Sequence, residues 1–112
     1  CTGIVVSNHG GRQLDGGRSS FDQLEEIVGA VGDQIDVILD SGIQRGSHVL
    51  KALSLGAKAV GGGRFYLYAL AAAGGQGVER ALQIMHEEIE RDMRLMGVSS
   101  IQELSRDNLR FR

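Results

Sequence analysis

Proline and tryptophan are absent from the 112 residues, and cysteine occurs once, at Cys1. A single cysteine excludes an internal disulfide framework and a cysteine-ligated metal cluster, and it is consistent with a reducing compartment. The sequence contains no run of 18 or more apolar residues, so no transmembrane helix is predicted. The net charge is only −2, which argues against nucleic acid or an anionic membrane surface as the partner.

Glycine is abundant instead, at 17 residues. Its clusters at 10–11, 16–17, 61–63 and 74–75 each adjoin a periodic segment, which predicts tight or ligand-facing turns rather than flexible linkers. The length suits one compact domain. Because the sequence opens at Cys1 in mid-pattern, without an initiator Met or a signal peptide, we expect it to be a piece of a longer protein.

Three strand-then-helix units are predicted from the apolar pattern. The strands are expected at about residues 3–7, 36–40 and 57–61. The first helix is expected to begin near Ser19–Ser20, with Ser20 and Gln23 as a capping box, and to end at Gly32. The second helix is expected over 47–55, with Ser47 as its N-cap and Gly56 just past its end.

Two further helices are predicted, a short apolar one over 65–73 and a long amphipathic one over 78–96. The long helix carries apolar residues at three- and four-residue steps, and its methionines are expected in the core. Two ion pairs are expected on its exposed face, Glu87 with Arg91 and Glu90 with Arg94. A last turn at 100–104 is expected to precede a basic tail that frays.

Alternating strands and helices predict an α/β fold with a parallel sheet and right-handed crossovers. Three such units cannot close an eight-unit barrel, which needs roughly 250 residues.

The segment after the first strand carries the strongest chemical signal. His9 and Arg12 lie three residues apart, with Gly10 and Gly11 between them. Histidine titrates near neutrality and can act as a base, and arginine has a planar fork that matches a carboxylate. This pair suits removal of a proton from a small anion, although a histidine near a strand end is often only structural.

The full string Ser7-Asn8-His9-Gly10-Gly11-Arg12-Gln13-Leu14-Asp15 resembles the signature of the FMN-dependent 2-hydroxy-acid dehydrogenases and oxidases. That family includes flavin-type lactate dehydrogenases, mandelate dehydrogenase and glycolate oxidase. The resemblance covers nearly the whole chain. It implies that residues 1–112 are the C-terminal part of the family's domain, namely strands 6–8 of a TIM (βα)8 barrel. Ser41 and the run from Phe65 to Ala71 are more similar to the lactate and mandelate dehydrogenase branch.

Two later loops resemble the family's cofactor loops, Asp40-Ser41-Gly42-Ile43-Gln44-Arg45-Gly46 and Gly62-Gly63-Arg64. In such barrels, phosphate commonly binds in the loops after strands seven and eight. The resemblance implies that Asp40 and Gly42 line the ribityl and phosphate path of FMN, and that Gly63 and Arg64 bind its phosphate. It places His9 as the general base and Arg12 on the substrate carboxylate, with both residues also next to the cofactor.

Each of these residues also has a simpler interpretation. Gly42 and Gly63 could serve only tight turns, Asp40 could cap a helix, and Arg64 could be a surface charge. Asp15 is expected to be a turn residue, and His48 and His86 are expected on the surface of helices. Tyr66 and Tyr68 are expected to pack against other residues and not to react.

Two positions depart from the family's pattern. Gln44 occupies the place of the first phosphate-binding arginine, so a neutral hydrogen bond replaces a charge-assisted one. Arg45, next to it, could compensate. Gly62 stands where a bulky aliphatic residue is usual, which removes packing and adds chain entropy to the unfolded state.

The resemblance implies oxidation of an (S)-2-hydroxy acid such as L-lactate to the 2-oxo acid. His9 would remove either the hydroxyl proton, as hydride leaves, or the α-proton, and the sequence leaves both routes open. The sequence leaves the electron acceptor open among a quinone, a cytochrome and oxygen. We expect the full-length enzyme to be a homo-oligomer that is cytoplasmic or peripheral to the inner membrane.

Further family groups are expected from segments that precede this chain, namely a lysine near the flavin, an aspartate partner for His9, a second arginine and two tyrosines. We therefore expect no turnover by the isolated 112 residues. Two other interpretations stay open. Barrels similar to IMP dehydrogenase also bind phosphate at these loops, but they need a loop cysteine, and none follows Cys1. The chain could also be a truncated, non-catalytic remnant or a fragment that depends on a partner.

Overall fold

The computed structural model describes residues 1–111 and has one sheet of three parallel strands in the order β1-β2-β3. The strands are β1 (Gly3–Val6), β2 (Asp36–Asp40) and β3 (Ala59–Gly61). Ile4 pairs with Val37, and Leu39 pairs with Val60. The three predicted strands are confirmed. The third begins two residues late because the N–H of Ala57 still bonds to the carbonyl of Ala52 at the preceding helix end.

The N-cap of helix α1 (Ser20–Val31) lies one residue earlier in the sequence than predicted. The Ser19 hydroxyl accepts the N–H of Asp22 at 3.1 Å, so Ser19 is the N-cap and the predicted box on Ser20 and Gln23 is wrong. Ser20 is unavailable as a cap because its buried hydroxyl accepts the N–H of Asn8 at 3.1 Å. This contact fastens the start of α1 to the segment that follows β1.

Helix α2 (Gly46–Ser54) has no cap from a neighbouring side chain, and the predicted N-cap at Ser47 is wrong. Its N-cap residue is Arg45, and the N–H of Gly46 is accepted by the carboxylate of Glu88, 42 residues away. The helix ends as expected before Gly56, whose φ of +95° suits glycine.

Helix α3 (Gly63–Met96) joins the two helices predicted at the end of the chain. Ala73 and Gly74 have non-helical dihedral angles, so the axis breaks there and the two segments retain separate directions. The pair of Arg94 and Glu90 forms at 2.9 Å as expected. The predicted pair of Glu87 and Arg91 is wrong because these side chains contact Arg80 and Asp92 instead.

The core lies between the sheet and helices α1 and α2, with Leu24, Val37 and Leu39 almost fully buried. Helix α3 packs against this core through Met85 and Ile89. The rest of its apolar stripe is less buried than predicted, as Leu82 shows with 55% exposure, and the expectation that its methionines lie in the core is wrong for Met96, which is 39% exposed. None of the helices in the described part of the chain is both long and apolar enough to cross a membrane.

The C-terminal tail was predicted to fray, but over residues 105–109 it is held by three contacts, and residue 112 lies outside the described residues. A turn at Ile101–Glu103 is followed by a second at Arg106–Asn108, which is closed by a capping box on Ser105. Arg106 forms an ion pair with Glu25 of α1, and Leu109 packs against the core.

Candidate active site

A cleft of about 180 Å³ lies at the edge of the sheet where the three strands end. Every residue that the sequence indicated as catalytic or cofactor-binding lines it, and these are His9, Arg12, Asp40, Gly42, Gln44, Gly63 and Arg64. They come from three separate segments, one after each strand. The parallel topology explains this convergence, since the carboxyl ends of neighbouring parallel strands meet at one edge.

His9 opens a tight turn, His9–Gly11, whose three residues all have positive φ. A φ of +54° is strained for histidine, and two hydrogen bonds maintain it. The N–H of His9 donates to the Ser7 hydroxyl at 3.0 Å, and that of Gly10 donates to the Asn8 side chain at 3.0 Å. The backbone thus presents the imidazole at the cleft instead of leaving it on a flexible loop.

The tautomer of His9 follows from its partner. Its Nδ1 lies 2.7 Å from Oε1 of Gln13. An amide oxygen only accepts hydrogen bonds, so Nδ1 is the donor in this contact, and in the neutral ring Nε2 then keeps its lone pair. The exposed ring can therefore accept a proton at Nε2.

Asp40 links two of the three segments. Its carboxylate accepts the hydroxyl of Ser7 at 2.6 Å and that of Ser41 at 3.2 Å. Ser41 in turn accepts the N–H of Gly10 at 3.2 Å. Since α2 begins only at Gly46, the alternative that Asp40 caps this helix is wrong. The sequence did not predict that Ser7 and Ser41 contact Asp40, although both stand immediately after a strand.

The loop between β2 and α2 turns sharply at Ser41 and Gly42, where φ is +86° and +79°. A Cβ added at Gly42 would meet no atom within 4 Å, so the backbone there borders open space. Gln44 follows and lines the cleft. Arg45 does not take its place, because its guanidinium bonds to Glu88 at 2.7 Å through Nε and at 2.6 Å through Nη2.

The first turn of α3 borders the cleft opposite this loop. Its N-cap, Gly62, offers no side chain to the N–H groups of the first turn, and a Cβ on Gly63 would meet nothing within 4 Å. Arg64 adds a guanidinium, of which Nη2 donates to the carbonyl of Gly10 at 2.8 Å. Uncapped amides at a helix start beside an arginine form a suitable site for an anion.

Gly62 itself is not required by packing. A Cβ at this position would lie 3.7 Å from the Phe65 Cβ and 3.8 Å from the Ile43 carbonyl, which are ordinary contacts. The departure at this position therefore leaves the adjacent amides in place.

Of the five residues expected to have only structural or surface roles, two are where they were expected and three are not. Asp15 lies in a turn and His86 is exposed near Glu90, as predicted. His48 is half-buried instead, and its Nδ1 lies 3.3 Å from the backbone nitrogen of Gln44 and 3.2 Å from the carbonyl oxygen of Gly42. Tyr66 and Tyr68 are 44% and 68% exposed, so the expectation that they pack is wrong for this chain.

Glu88 is the charged residue near these loops that sequence reasoning missed. The hydrogen bonds from Arg45 and from the N–H of Gly46 lower the pKa of its carboxyl, and the same pairing raises the pKa of Arg45. Its position on an amphipathic helix gave no signal, because Glu87 and Glu90 in the same turn are ordinary exposed carboxylates and nothing in the sequence distinguishes Glu88 from them.

The cleft thus combines a histidine, two arginines and a helix start without a side-chain cap at the end of a parallel α/β sheet. The family model of the FMN-dependent dehydrogenases matches residues 1–111. The chain belongs to this family, whose cofactor is FMN, and the resemblance drawn from the His9 segment is confirmed.

Two curated relatives are similar to this chain over more than nine-tenths of its length. The chain is 50% identical to L-lactate dehydrogenase (cytochrome) of Saccharomyces cerevisiae over 96% of its own length and 19% of that protein. It is 54% identical to L-lactate oxidase of Lysinibacillus sphaericus, over 91% of the chain and 26% of the relative. The chain therefore spans only about a fifth to a quarter of these relatives.

Solved structures agree on the fold. A soluble mutant of the membrane-associated (S)-mandelate dehydrogenase from Pseudomonas putida superposes with a TM-score of 0.94 at 43% identity, over 99% of this chain and 31% of that one. The flavin-binding domain of baker's yeast flavocytochrome b2 gives 0.88 at 50% identity, over 95% and 28%. These neighbours are TIM-barrel enzymes, and the three parallel strands with their helices are compatible with part of such a barrel.

Proposed function

We propose that this chain supplies strands 6–8 of a (βα)8 barrel, with residues 1–112 as the C-terminal part of the domain. The complete protein would use FMN to oxidise an (S)-2-hydroxy acid such as L-lactate to the 2-oxo acid. The observation that carries this proposal is the convergence of His9, Arg12 and Arg64 on one cleft from separate segments. Relatives named as L-lactate dehydrogenase and L-lactate oxidase support the substrate class.

The residues present fit the phosphate end of FMN. The uncapped amides at Gly63, the Arg64 guanidinium and the open backbone at Gly42 face one space, and Gln44 adds a neutral donor. A phosphate would gain hydrogen bonds from each of these groups and the favourable end of the helix dipole. FMN, when bound, supplies the acceptor for the two electrons that leave the substrate.

Arg12 would hold the substrate carboxylate with its planar fork and so fix the position of the reacting carbon. His9 would take a proton at Nε2, which is the ring nitrogen left free by the contact of Nδ1 with Gln13. Both routes considered from the sequence, removal of the hydroxyl proton and removal of the α-proton, use this same nitrogen. Each requires a neutral imidazole before the reaction.

The remaining parts of the pocket belong, in this proposal, to segments that precede residue 1. They would supply a lysine, a second arginine, two tyrosines and an aspartate for His9. The electron acceptor, whether a cytochrome, oxygen or a quinone, and a homo-oligomeric assembly are parts of the same proposal. So is a location in the cytoplasm or at the periphery of the inner membrane.

Anaerobic reduction of the flavin tests the proposal directly. The full-length protein, loaded with FMN, is mixed with L-lactate, D-lactate or another 2-hydroxy acid, and the flavin absorbance is followed. We expect the (S)-acids to bleach the flavin and the (R)-acids to leave it oxidised. If none of the (S)-acids bleaches a protein that holds FMN, the proposed reaction is wrong.

A second candidate is a non-catalytic remnant that depends on a partner. It is favoured by apolar side chains that the chain leaves exposed, including Val5 at 60%, Leu14 at 72% and Leu95 at 80%. Titration of FMN separates the candidates, because a remnant would not bind it at high micromolar concentration. Saturable binding would favour the enzyme.

A further inference from the structure

Glu88 is a buried carboxylate on α3 that lies outside the cleft. Only 8% of the residue is exposed. Its Oε1 accepts a hydrogen bond from Nε of Arg45 at 2.7 Å and lies 2.6 Å from Nη2 of the same ion-paired guanidinium, and its Oε2 accepts the N–H of Gly46 at 2.8 Å. Burial of a carboxylate is unfavourable unless it is paired and hydrogen-bonded, and here both oxygens are engaged.

These contacts also bring two backbones together. A Cβ on Gly46 would lie 2.6 Å from the Cβ of Glu88 and 2.7 Å from the backbone nitrogen of Ile89. No side chain fits in this gap, so α3 sets the position at which α2 begins. Glu88 replaces the N-cap that the local sequence of α2 does not provide.

The loop from Asp40 to Arg45 is thus fixed at both ends. Asp40 holds its start through the hydroxyls of Ser7 and Ser41, and Glu88 holds its end. The part between these anchors contains the positive φ angles at Ser41 and Gly42 and leads to Gln44 in the cleft. A substitution of Glu88 would therefore shift the residues of this loop that face the first turn of α3.

We propose that Glu88 is a positioning residue for the cofactor phosphate. By holding Gly46 and Arg45, it sets the segment from Gly42 to Gln44 at the distance from Arg64 that a phosphate requires. This inference rests on the proposed use of FMN. It differs from a purely structural role, which would lower stability without any preference for the phosphate end of the cofactor.

Comparison of FMN with riboflavin isolates the phosphate, because the two molecules differ only there. Dissociation constants for both are measured by flavin fluorescence in the full-length protein, well below each variant's melting temperature. In Glu88→Gln we expect the dissociation constant for FMN to rise about tenfold and that for riboflavin to change less than twofold, as for other supporting residues. The control is Glu90→Gln, another ion-paired carboxylate on α3 that lies away from the loop, and it should change neither constant.

Glu88→Asp is the second variant, because it keeps the charge but is too short to reach both Arg45 and Gly46. It should shift the FMN constant in the same direction by a smaller factor, and it serves if Glu88→Gln does not fold. The inference is overturned if the ratio of FMN to riboflavin affinity does not change, whether neither ligand or both ligands bind more weakly. It is also overturned if FMN binds more tightly because Arg45 has been released. A wild-type protein that does not prefer FMN to riboflavin would overturn the proposed function as well.

Discussion

Nη2 of Arg64 donates a hydrogen bond to the carbonyl of Gly10 at 2.8 Å, across 54 positions of the sequence. This contact joins the first turn of α3 to the turn that carries His9. The proposed phosphate-binding group and the proposed base are therefore parts of one connected structure. A substitution in either segment should therefore alter the conformation of the other.

Gly10→Ala tests this connection. The residue has a φ of +68°, and an added Cβ would overlap Nη2 of Arg64. We expect a loss of about 1–2 kcal/mol in the free energy of unfolding from backbone strain, and about a tenfold weaker affinity for FMN from displacement of Arg64. Gly97→Ala is the control, because it has a φ of +72° at the end of α3 with no atom within 4 Å. The control should lose stability alone, and unchanged FMN affinity in Gly10→Ala would contradict the coupling.

Gln44→Arg should restore a charge-assisted hydrogen bond to the phosphate. Gln44 lines the cleft, whereas Arg45 is held by Glu88 and cannot supply this charge. We expect FMN to bind about tenfold more tightly, with little change for riboflavin, as measured by quenching of flavin fluorescence. Gln102→Arg adds the same charge at an exposed position far along the chain and should have no effect. Equal tightening by both substitutions would show a general charge effect instead.

The pH dependence of stability should reveal the Glu88 contact. Pairing with Arg45 and Gly46 holds the pKa of Glu88 below its ordinary value of 4.5. A carboxyl whose pKa is lowered by folding stabilises the protein above the unfolded pKa, and this contribution is lost as the pH falls through the folded value. Urea unfolding should show a plateau from pH 7 to about 5 and a decline below 4.5. Glu88→Gln should be less stable on the plateau and show a shallower decline, and an identical slope would assign the acid sensitivity to other carboxyls such as Glu103.

The purified 112-residue chain should not turn over, even with FMN and L-lactate. It contains His9 and Arg12 but not the other pocket residues, which are proposed to come from segments that precede residue 1. Reduction of a redox dye with lactate as donor is the measurement, with the full-length protein as the positive control. Lactate-dependent reduction by the isolated chain would show that the residues present are sufficient for the chemistry.

The sequence was most informative where a reactive or charged residue stands next to a recognisable strand end or turn. Asp40, Gly42 and Arg64 were all placed at the correct edge, because a strand end followed by glycine and a charged residue identifies both the turn and its position. It was less informative about contacts between distant segments. Ser19 caps α1 because the hydroxyl of Ser20 already accepts the N–H of Asn8. Helix α2 begins at Gly46, where the carboxylate of Glu88 accepts the first N–H group. No local pattern encodes either contact, since both depend on how the helices pack.

The most direct test of the account is the rate of anaerobic flavin reduction by L-lactate in the full-length protein and its His9→Gln variant. His86→Gln, an exposed histidine on α3, is the matched control. The account predicts that His9→Gln still binds FMN but reduces it at least about 100-fold more slowly, the loss expected for a general base. The control should react at the wild-type rate. Flavin reduction in His9→Gln at a rate close to wild type would contradict the assignment of His9 as the base.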